Sequence, residues 1–359
     1  MEAQAKTSVP LKNVSTAFDH LIDHILEHGL PDERFSERHV RFSFENCTID
    51  FLHDDHALQV EVRAPSDNML FFLKEAAAAH IMGIDKAAGA DLRWNDANST
   101  NDGTGRPINF RELTVTKRSE VFPGMIRVTL TGENISGLGL DGMHVKLMRP
   151  ASPAATEPTW PSVLPNGVTS WPEGDEQLHV RYFTLRHVRE EAGEVDIDIV
   201  QHKDGMISDW AIEAMPGDRI GVMGPGGGTV PDVDQSLLVS GDQTALPAIA
   251  RILESLPDHV TGLCVVALPD GMQWSDYLPA SKLDMVQIET NAYPQSCLTI
   301  YRDAHANGFS PDYGWFAGEF ETANAMRAFF KGDLKLPKGR QMSVSYWEKG
   351  KRGRADLID

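Results

Sequence analysis

The sequence predicts three folded regions: a small α+β domain, an antiparallel β-barrel and an α/β domain built on a parallel sheet. Three patterns along the 359 residues support this fold class. Helix-spaced apolar residues flank short strands at the start, strands separated only by turns follow, and strands alternate with helices after Gln235. A chain of this length usually forms two or three domains. We predict domains at 1–95, 107–232 and 233–359, with a linker at 96–106.

The first region combines two predicted helices with short strands. A first helix is indicated by five apolar residues at helical spacing, Phe18, Leu21, Ile22, Ile25 and Leu26. Gly29 follows them where a helix C-terminal glycine is expected. The segments VRFSFEN, CTIDFL and ALQVEVRA alternate as strands. A second helix is predicted from Asp67, and the segment DLRW is predicted as a final strand.

Three histidines on the first predicted helix, His20, His24 and His28, recur every four residues. Residues at this spacing share a helix face, so two of them could bind one metal ion. Acidic side chains at the neighbouring positions indicate an ordinary polar face instead. We favour the polar face and predict no metal site.

The region from residue 107 is predicted to be a barrel. The segments FRELTVTKRSEVF, MIRVTLTGENI and MHVKLMRP are short strands separated by turn residues, which is typical of an antiparallel barrel. The polar segment NDANSTNDGTGR before them indicates a flexible linker. The proline-rich stretch Ala151–Gly174 is predicted as a long barrel loop, and Gly224–Gly228 (GPGGG) as the turn out of the barrel.

One stretch, Val180–Gly228, contains features expected of a cofactor site. Its run RYFT places a cation, two aromatic rings and a hydroxyl on one strand, where they could face a planar, anionic cofactor. The segment EVDIDIV alternates apolar and acidic residues, which predicts a half-buried strand. Ser208 is predicted as the N-cap of a short helix over Asp209–Met215, and the free N–H groups at such a helix start suit a phosphate.

The last region alternates strands and helices. The segments LLVSG, TGLCVVAL, MVQIET, YGWFAG and QMSVSYW are predicted strands, and helices are predicted after the first of them and at Glu321–Phe330. Parallel sheets bind ligands at the carboxyl ends of their strands. Two strand ends supply candidate nucleotide-binding residues: Gly241, Asp242, Thr244, Ala317, Gly318 and Glu319. There is no G-x-G-x-x-G motif, so the spacing alone does not identify a dinucleotide site.

Five separated motifs resemble, in order, those of the siderophore-interacting protein family. They are RYFT followed by VQH, SDWA with PGD and GPGG, GDQTALPAIARILESLP, FAGE, and SVSYWEKG. The resemblance covers residues 107 to 350. It implies a ferredoxin-reductase-like fold and an FAD-dependent reductase that passes electrons from NAD(P)H to ferric siderophores. Residues 1–95 resemble a small domain of unknown function that is fused to some members, which implies no activity.

The resemblance also implies roles for individual residues. Arg181 is expected to contact an FAD phosphate, Phe183 to pack on the flavin, and Thr184 to hydrogen-bond to it. The family usually has Tyr where this chain has Phe183, so a phenolic hydrogen bond is lost. Further FAD contacts are expected from Tyr182, Asp198, Val200, His202, Ser208 and Trp210. Substrate contacts are expected from Lys146, Lys338, Arg340, Trp347, Lys349, Lys351 and Arg352. No catalytic acid or nucleophile is expected, because the flavin carries the chemistry.

Composition limits the partners and the location. The net charge of −19, from 52 acidic and 33 basic residues, argues against nucleic acid as a partner. An anionic ferric siderophore therefore needs a locally basic face. No apolar run is long enough for a membrane helix or has the form of a signal peptide, so we predict no membrane insertion. Three scattered cysteines without metal-ligand spacing suit a reducing cytoplasm, where we expect the protein.

Two other functions remain open from the sequence. One is a flavin electron-transfer protein whose acceptor is a protein or free flavin, and the other is a non-catalytic module that binds ferric siderophores. The basic residues near the C-terminus favour a small anionic acceptor over a protein. The donor is expected to be NADH or NADPH. The segment ETNAYPQSC after the third parallel strand lacks basic residues that could hold a 2′-phosphate, which favours NADH.

Overall fold

The chain folds as two compact units. The computed structural model describes residues 3–27, 32–44, 46–96, 105–133, 135, 137–139, 142–152, 157–203 and 205–350. The first unit contains residues up to Phe110 together with Pro150–Leu178, and the second contains Arg111–Arg149 and the chain from His179 onward. No helix in the described ranges is long and apolar enough to cross a membrane.

The first unit is an antiparallel sheet covered by helices. Its strands have the order β1-β5-β4-β3-β2 and are β1 (Ala3–Pro10), β2 (Asp32–Ser36), β3 (His39–Phe44), β4 (Cys47–His53) and β5 (Ala57–Ala64). Its helices are α1 (Val14–Glu27), α2 (Asp67–Ile84) and α3 (Lys86–Asp91). Phe18, Phe42, Phe51 and Leu73 are fully buried between sheet and helices. The α+β class predicted for this region is therefore confirmed.

Four elements of this unit differ from the sequence prediction, and one of them is the edge strand β2, which is exposed along its whole length and so lacks an apolar pattern. Strand β1 was not predicted, because its inward residues are small: every second side chain from Ala5 to Val9 is buried. Helix α3 was not predicted either, and the Asp85 carboxylate caps it by accepting from two backbone N–H groups. The predicted strand DLRW is wrong, because Asp91 ends α3 and the next residues form no strand.

The proline-rich segment predicted as a barrel loop packs into the first unit. It forms a small hairpin of β9 (Ser162–Val163) and β10 (Thr169–Ser170). Asn166 between these strands is 2% exposed. Its carbonyl accepts from Trp94 Nε1 at 3.0 Å, and its Nδ2 donates to Gly89 O at 3.0 Å. These buried bonds tie the hairpin to the helical side of the first unit.

The second unit begins with a closed six-stranded barrel. The strand order is β11-β12-β7-β6-β13-β8, with β6 (Phe110–Phe122), β7 (Met125–Thr131), β8 (His144–Pro150), β11 (Leu178–Arg189), β12 (Glu194–Val200) and β13 (Arg219–Met223). Helix α4 (Met206–Glu213) buries Ile207, Trp210 and Ala211 in the same apolar core as the barrel strands. The turn Gly224–Gly228 leaves the barrel after β13, as predicted.

The rest of the second unit is a parallel sheet with helices on both faces. The strands have the order β16-β15-β14-β17-β18 and are β14 (Ser236–Asp242), β15 (Thr261–Leu268), β16 (Leu283–Glu289), β17 (Tyr313–Glu319) and β18 (Gln341–Trp347). Helix α5 (Leu246–Ser255) packs on one face, and α6 (Gln295–Ala306) and α7 (Phe320–Gly332) pack on the other. The predicted parallel sheet is confirmed, and only α6 was not predicted.

Candidate cofactor and substrate site

Four basic side chains, two arginines and two histidines, lie close together at one side of the barrel. Arg149 is near the end of β8, His179 and Arg181 are on β11, and His202 follows β12. Burial lowers the pKa of Arg149 and of Arg181. Burial also lowers the pKa of His179 to about 4, and the charges of Arg181, Arg149 and His202 lower it further. Positive charge around His179 therefore disfavours its protonated form, and a bound anion would stabilise the charged forms of these groups.

Two members of this cluster were missed by the sequence analysis. His179 and Arg181 are two residues apart on one strand, so they share a face of β11, which is a signal that the sequence does contain. Arg149 carries no such signal, because its place beside β11 depends on closure of the barrel. Its guanidinium lies 5.7 Å from the centre of the Trp210 ring. Trp210 is buried and thus supports Arg149 from behind.

The helix α4 starts earlier than predicted. Its N-cap is Gly205 and makes no side-chain cap bond, so the prediction of Ser208 as N-cap is wrong. Ser208 is instead buried in the first turn, where its Oγ accepts from the His202 backbone N–H at 3.0 Å. A side chain at position 205 would clash with the His202 ring, because a Cβ there would lie 2.1 Å from its Cε1. Gly205 and Ser208 together hold His202 at the start of α4.

The RYFT run has one exposed ring and one partly buried ring. Tyr182 is 50% exposed, and Lys146 Nζ of the adjacent strand β8 lies 5.4 Å from its ring centre. Phe183 is partly buried against the barrel core. Thr184 is buried and hydrogen-bonds to the side chain of Tyr346 on β18. The RYFT run therefore has Tyr182 at an exposed surface beside Lys146, and Thr184 where the barrel contacts the parallel sheet.

Tyr346 also contacts a second barrel strand. Its hydroxyl lies 2.7 Å from His144 Nε2 on β8. Burial lowers the pKa of His144 to about 4, so the ring is neutral near neutral pH. The His144 ring packs on the glycine turn, where a Cβ at Gly228 would lie 2.1 Å from Nδ1. These contacts connect β8, β11 and β18 beside Thr184.

Strand β12 is buried on both faces rather than half-buried as predicted. The Asp198 side chain has no exposure, and its two oxygens accept from Arg127 Nε and Nη2 at 2.7 Å each. Tyr277 donates a further hydrogen bond to the same carboxylate. Val200, at the end of the strand, is partly buried against the sheet domain. Any contact of Asp198 with a cofactor would therefore have to come from its main chain.

The predicted nucleotide-binding residues meet at one edge of the parallel sheet. Gly241 pairs in register with Ala317, so the ends of β14 and β17 are adjacent. A Cβ at Gly241 would lie 2.4 Å from Ala245 Cβ, and one at Gly318 would lie 2.8 Å from Asp242 Oδ2. Only glycine therefore allows the turn after β14 to approach both strands this closely.

Carboxylates hold the two turns at this edge. Asp242 Oδ1 accepts from Thr244 N at 2.9 Å, and its Oδ2 accepts from Trp347 Nε1 at 2.8 Å. Burial raises the pKa of Asp242. Glu319 caps α7 by accepting from the N–H groups of Glu321 and Thr322. The Asp242 and Glu319 carboxylates therefore hold the backbone of the turns after β14 and β17 in place.

The predicted substrate residues do not form one cluster. Trp347, 40% exposed, and Lys349 lie at and just beyond the carboxyl end of β18. Lys338 and Arg340 precede β18 at its amino end, roughly 20 Å away along a seven-residue strand. Arg340 is bound there to Asp232 O and to Asp234. Lys146 lies beside Tyr182, whereas Lys351 and Arg352 lie outside the described residues.

The comparisons with known proteins identify the family. Residues 114–229 match the siderophore-interacting FAD-binding domain, and residues 234–350 match the siderophore-interacting protein domain. The chain belongs to the siderophore-interacting protein family. An NADPH-dependent ferric-chelate reductase of Escherichia coli is 32% identical over 67% of this chain and 93% of its own length. A ferric vibriobactin reductase of Vibrio cholerae is 28% identical over 68% of this chain and 92% of its own length.

A solved structure of the family has the same architecture. The siderophore-interacting protein SipS from Aeromonas hydrophila matches with a TM-score of 0.58 and 28% identity, over 68% of this chain and 93% of its own. A siderophore utilization protein from T. fusca matches with a TM-score of 0.54 at the same identity, over 68% of this chain and 94% of its own. The two family matches lie within residues 114–350, so residues 1–113 are outside them.

The residues of the second unit fit FAD. A diphosphate carries the negative charge that the cluster of Arg149, His179, Arg181 and His202 lacks, and the start of α4 adds backbone N–H groups. Exposed Tyr182 and partly buried Phe183 supply ring faces for a planar group. The described residues contain no group of three or more His, Cys, Asp or Glu arranged for a metal ion. His24 and His80 lie with ring centres 5.2 Å apart, and His28 is outside the described residues.

Proposed function

We propose that this protein is an FAD-dependent reductase that passes electrons from NAD(P)H to iron(III) held by a siderophore. The observation that carries the proposal is the cationic cluster next to a barrel strand with RYFT, opposite a parallel sheet in the same unit. That arrangement suits one dinucleotide on the barrel and a second on the sheet. The names of the curated relatives, which are ferric-chelate and ferric vibriobactin reductases, support the same substrate class.

In this proposal, residues of the protein bind FAD and orient the nicotinamide nucleotide toward it. Arg149, Arg181 and His202 would hold the FAD diphosphate, and the ring of Phe183 or Tyr182 would pack on the flavin. Asp242 and Glu319 fix the turns over which the nicotinamide nucleotide would lie. When bound, FAD supplies the chemistry: it accepts a hydride from the nicotinamide and gives single electrons to iron(III). Iron(II) is held far more weakly by siderophores, so reduction releases the metal.

Lys146 is the best-supported contact for the siderophore. It lies beside the half-exposed Tyr182 ring on the barrel, next to the strand that carries Thr184. Trp347 ends strand β18 and Lys349 follows it. We propose these two residues as further contacts for the siderophore. Lys338 and Arg340 lie at the other end of β18, so we do not propose them as substrate contacts. The three cysteines are buried and none is in a disulfide among the described residues, which supports our placing of the reaction in the reducing cytoplasm.

The test is a visible absorption spectrum of the purified protein under anaerobic conditions. Flavin bands should bleach with a nicotinamide and return when ferric siderophore is added, while a ferrous chelator gains its colour. A flavin that bleaches but ignores ferric siderophores would favour an electron-transfer protein with another acceptor. A protein that takes up no FAD would overturn the proposal. Lys146→Gln should raise the KM for the ferric siderophore about tenfold with bleaching unchanged, whereas Lys117→Gln, at an exposed barrel position, should not.

A further inference from the structure

A cavity of about 330 Å³ lies where barrel strand β11 meets helix α5. Its volume is at the small end of the range for ligand pockets. The cavity is distinct from the basic cluster assigned to FAD, since Arg181 of that cluster is about 15 Å away along β11. Its polar walls come from the second half of β11 and the last turns of α5, and they contain three arginines, a histidine, a serine and one acid: Arg186, Arg189, Arg251, His187, Ser255 and Glu254.

Two of the basic side chains are paired with acids of the barrel. Arg189 binds both Glu194 and Asp196, and its Nη1 lies 2.6 Å from Asp196 Oδ2. His187 Nδ1 lies 3.0 Å from the same oxygen. The charge of Arg189 is therefore already compensated by neighbouring strand residues.

The other two arginines share a single carboxylate. The Arg186 side chain is 6% exposed, and its Nη1 and Nη2 donate to the two Glu254 oxygens at 2.8 and 2.6 Å. The buried Nε of Arg186 makes no hydrogen bond to any described residue. Arg251 is partly buried and donates to a main-chain carbonyl, Leu185 O, at 3.0 Å. It forms no ion pair with the residues that the structure describes, so its charge lacks a counter-ion.

The surroundings of Arg251 disfavour a lone positive charge. Burial lowers its pKa, and the charge of Arg186 lowers it further, which the charge of Glu254 offsets only in part. A cation that is removed from water without a partner costs free energy, and a bound anion recovers part of that cost. The planar guanidinium donates paired hydrogen bonds to carboxylate or phosphate oxygens. The cavity beside Arg251 therefore suits an oxyanion.

We propose that the cavity between β11 and α5 binds a small anionic metabolite, which Arg251 holds by a carboxylate or phosphate group. The ligand joins the two halves of the second unit, because Arg186 belongs to the barrel and Arg251 to a helix that packs on the parallel sheet. The candidate nucleotide edge precedes α5, whereas Arg251 lies in the second half of that helix. The site is thus separate from both dinucleotides and goes beyond the proposed reductase function.

The test is isothermal titration calorimetry of the FAD-saturated protein with sodium phosphate and, separately, with citrate. Bound FAD keeps the probes away from the basic cluster on the barrel, and the two probes distinguish a phosphate from a carboxylate ligand. At least one probe should bind at a single site with a dissociation constant below about 1 mM. Arg251→Met should weaken that binding about tenfold or more. Arg118→Met, at an exposed arginine of β6, is the matched control and should bind as the wild type does.

Glu254→Gln tests the same site with the opposite sign. The amide oxygen still accepts a hydrogen bond from Arg186, while the one negative charge in the cavity wall is removed, so the anion should bind roughly threefold tighter or more. A purely structural role for Arg251 and Glu254 predicts no such gain. Dissociation constants above about 10 mM for both probes, an Arg251→Met protein that binds like the wild type, or weaker binding by Glu254→Gln would each overturn the inference.

Discussion

Arg181 gives the most direct test of the FAD site. Replacing it with Met keeps a long, unbranched side chain and removes the charge, so that packing on β11 changes little. Arg181 is half-buried, and burial alone lowers its pKa. The ion is thus already separated from bulk water before any ligand arrives, which strengthens its attraction to a diphosphate.

The magnitude follows from two opposing terms. A hydrogen bond from a charged group contributes about 1.5–3 kcal/mol to binding. Arg149 and His202 remain beside the site after Arg181 is lost, and they retain part of the attraction to the diphosphate. We therefore expect the FAD dissociation constant to rise roughly tenfold to thirtyfold. The effect should shrink at high salt, because screening weakens what remains of the electrostatic attraction.

The assay is titration of apoprotein into FAD, followed by quenching of flavin fluorescence at low and high salt. Arg118→Met is the control, since Arg118 is an exposed arginine of β6 on the same barrel. It should bind FAD as the wild type does. An Arg181→Met protein whose dissociation constant stays within about twofold of the wild type would refute the assignment of the cluster to the diphosphate.

Two further predictions concern the barrel. Arg127→Met leaves the fully buried Asp198 carboxylate without its bidentate partner. Urea denaturation should therefore show a free energy of unfolding lower by about 3–5 kcal/mol, whereas the control Arg118→Met should be near wild type. A decrease below about 1 kcal/mol would contradict this prediction. The pKa of His179 is about 4 in the protein without FAD, below its ordinary 6.5. A bound diphosphate raises it, so FAD binding takes up protons and FAD affinity should rise as the pH falls toward 6.5 and below. His179→Gln should flatten that rise, and an unchanged pH profile in this variant would contradict it.

The parts of the fold that the sequence predicted are those that local pattern controls. Helix α2 begins at Asp67 as expected, because Ser66 caps it by accepting from Met69 N. The three inner parallel strands, β14, β15 and β17, contain mostly buried runs, which a strand covered on both faces requires. Strand β1 escaped prediction because small and polar residues dominate it, and it is held by its pairing with β5, distant in sequence. A local sequence pattern contains no information about a pairing partner that is distant in sequence.

The site was predicted less completely than the fold, for a related reason. Alternation in EVDIDIV suggested solvent on the acidic face of β12, but Arg127 on the neighbouring strand neutralises Asp198 there and allows burial. Ser208 has the residue type of an N-cap, yet the close packing of His202 on Gly205 starts α4 earlier. In each case, a side chain from elsewhere in the sequence decides the environment of the predicted residue.

The charge distribution connects the two nucleotide sites. The chain carries a net charge of −19, so a dinucleotide approaching at random meets a repulsive field. At the barrel, the basic cluster of Arg149, His179, Arg181 and His202 supplies local positive charge that opposes this repulsion. At the parallel sheet, residues 269–276 and 290–294, which follow β15 and β16, contain no Lys or Arg. A nicotinamide nucleotide at the sheet would therefore depend on neutral contacts with the turns after β14 and β17, which Asp242 and Glu319 hold in place.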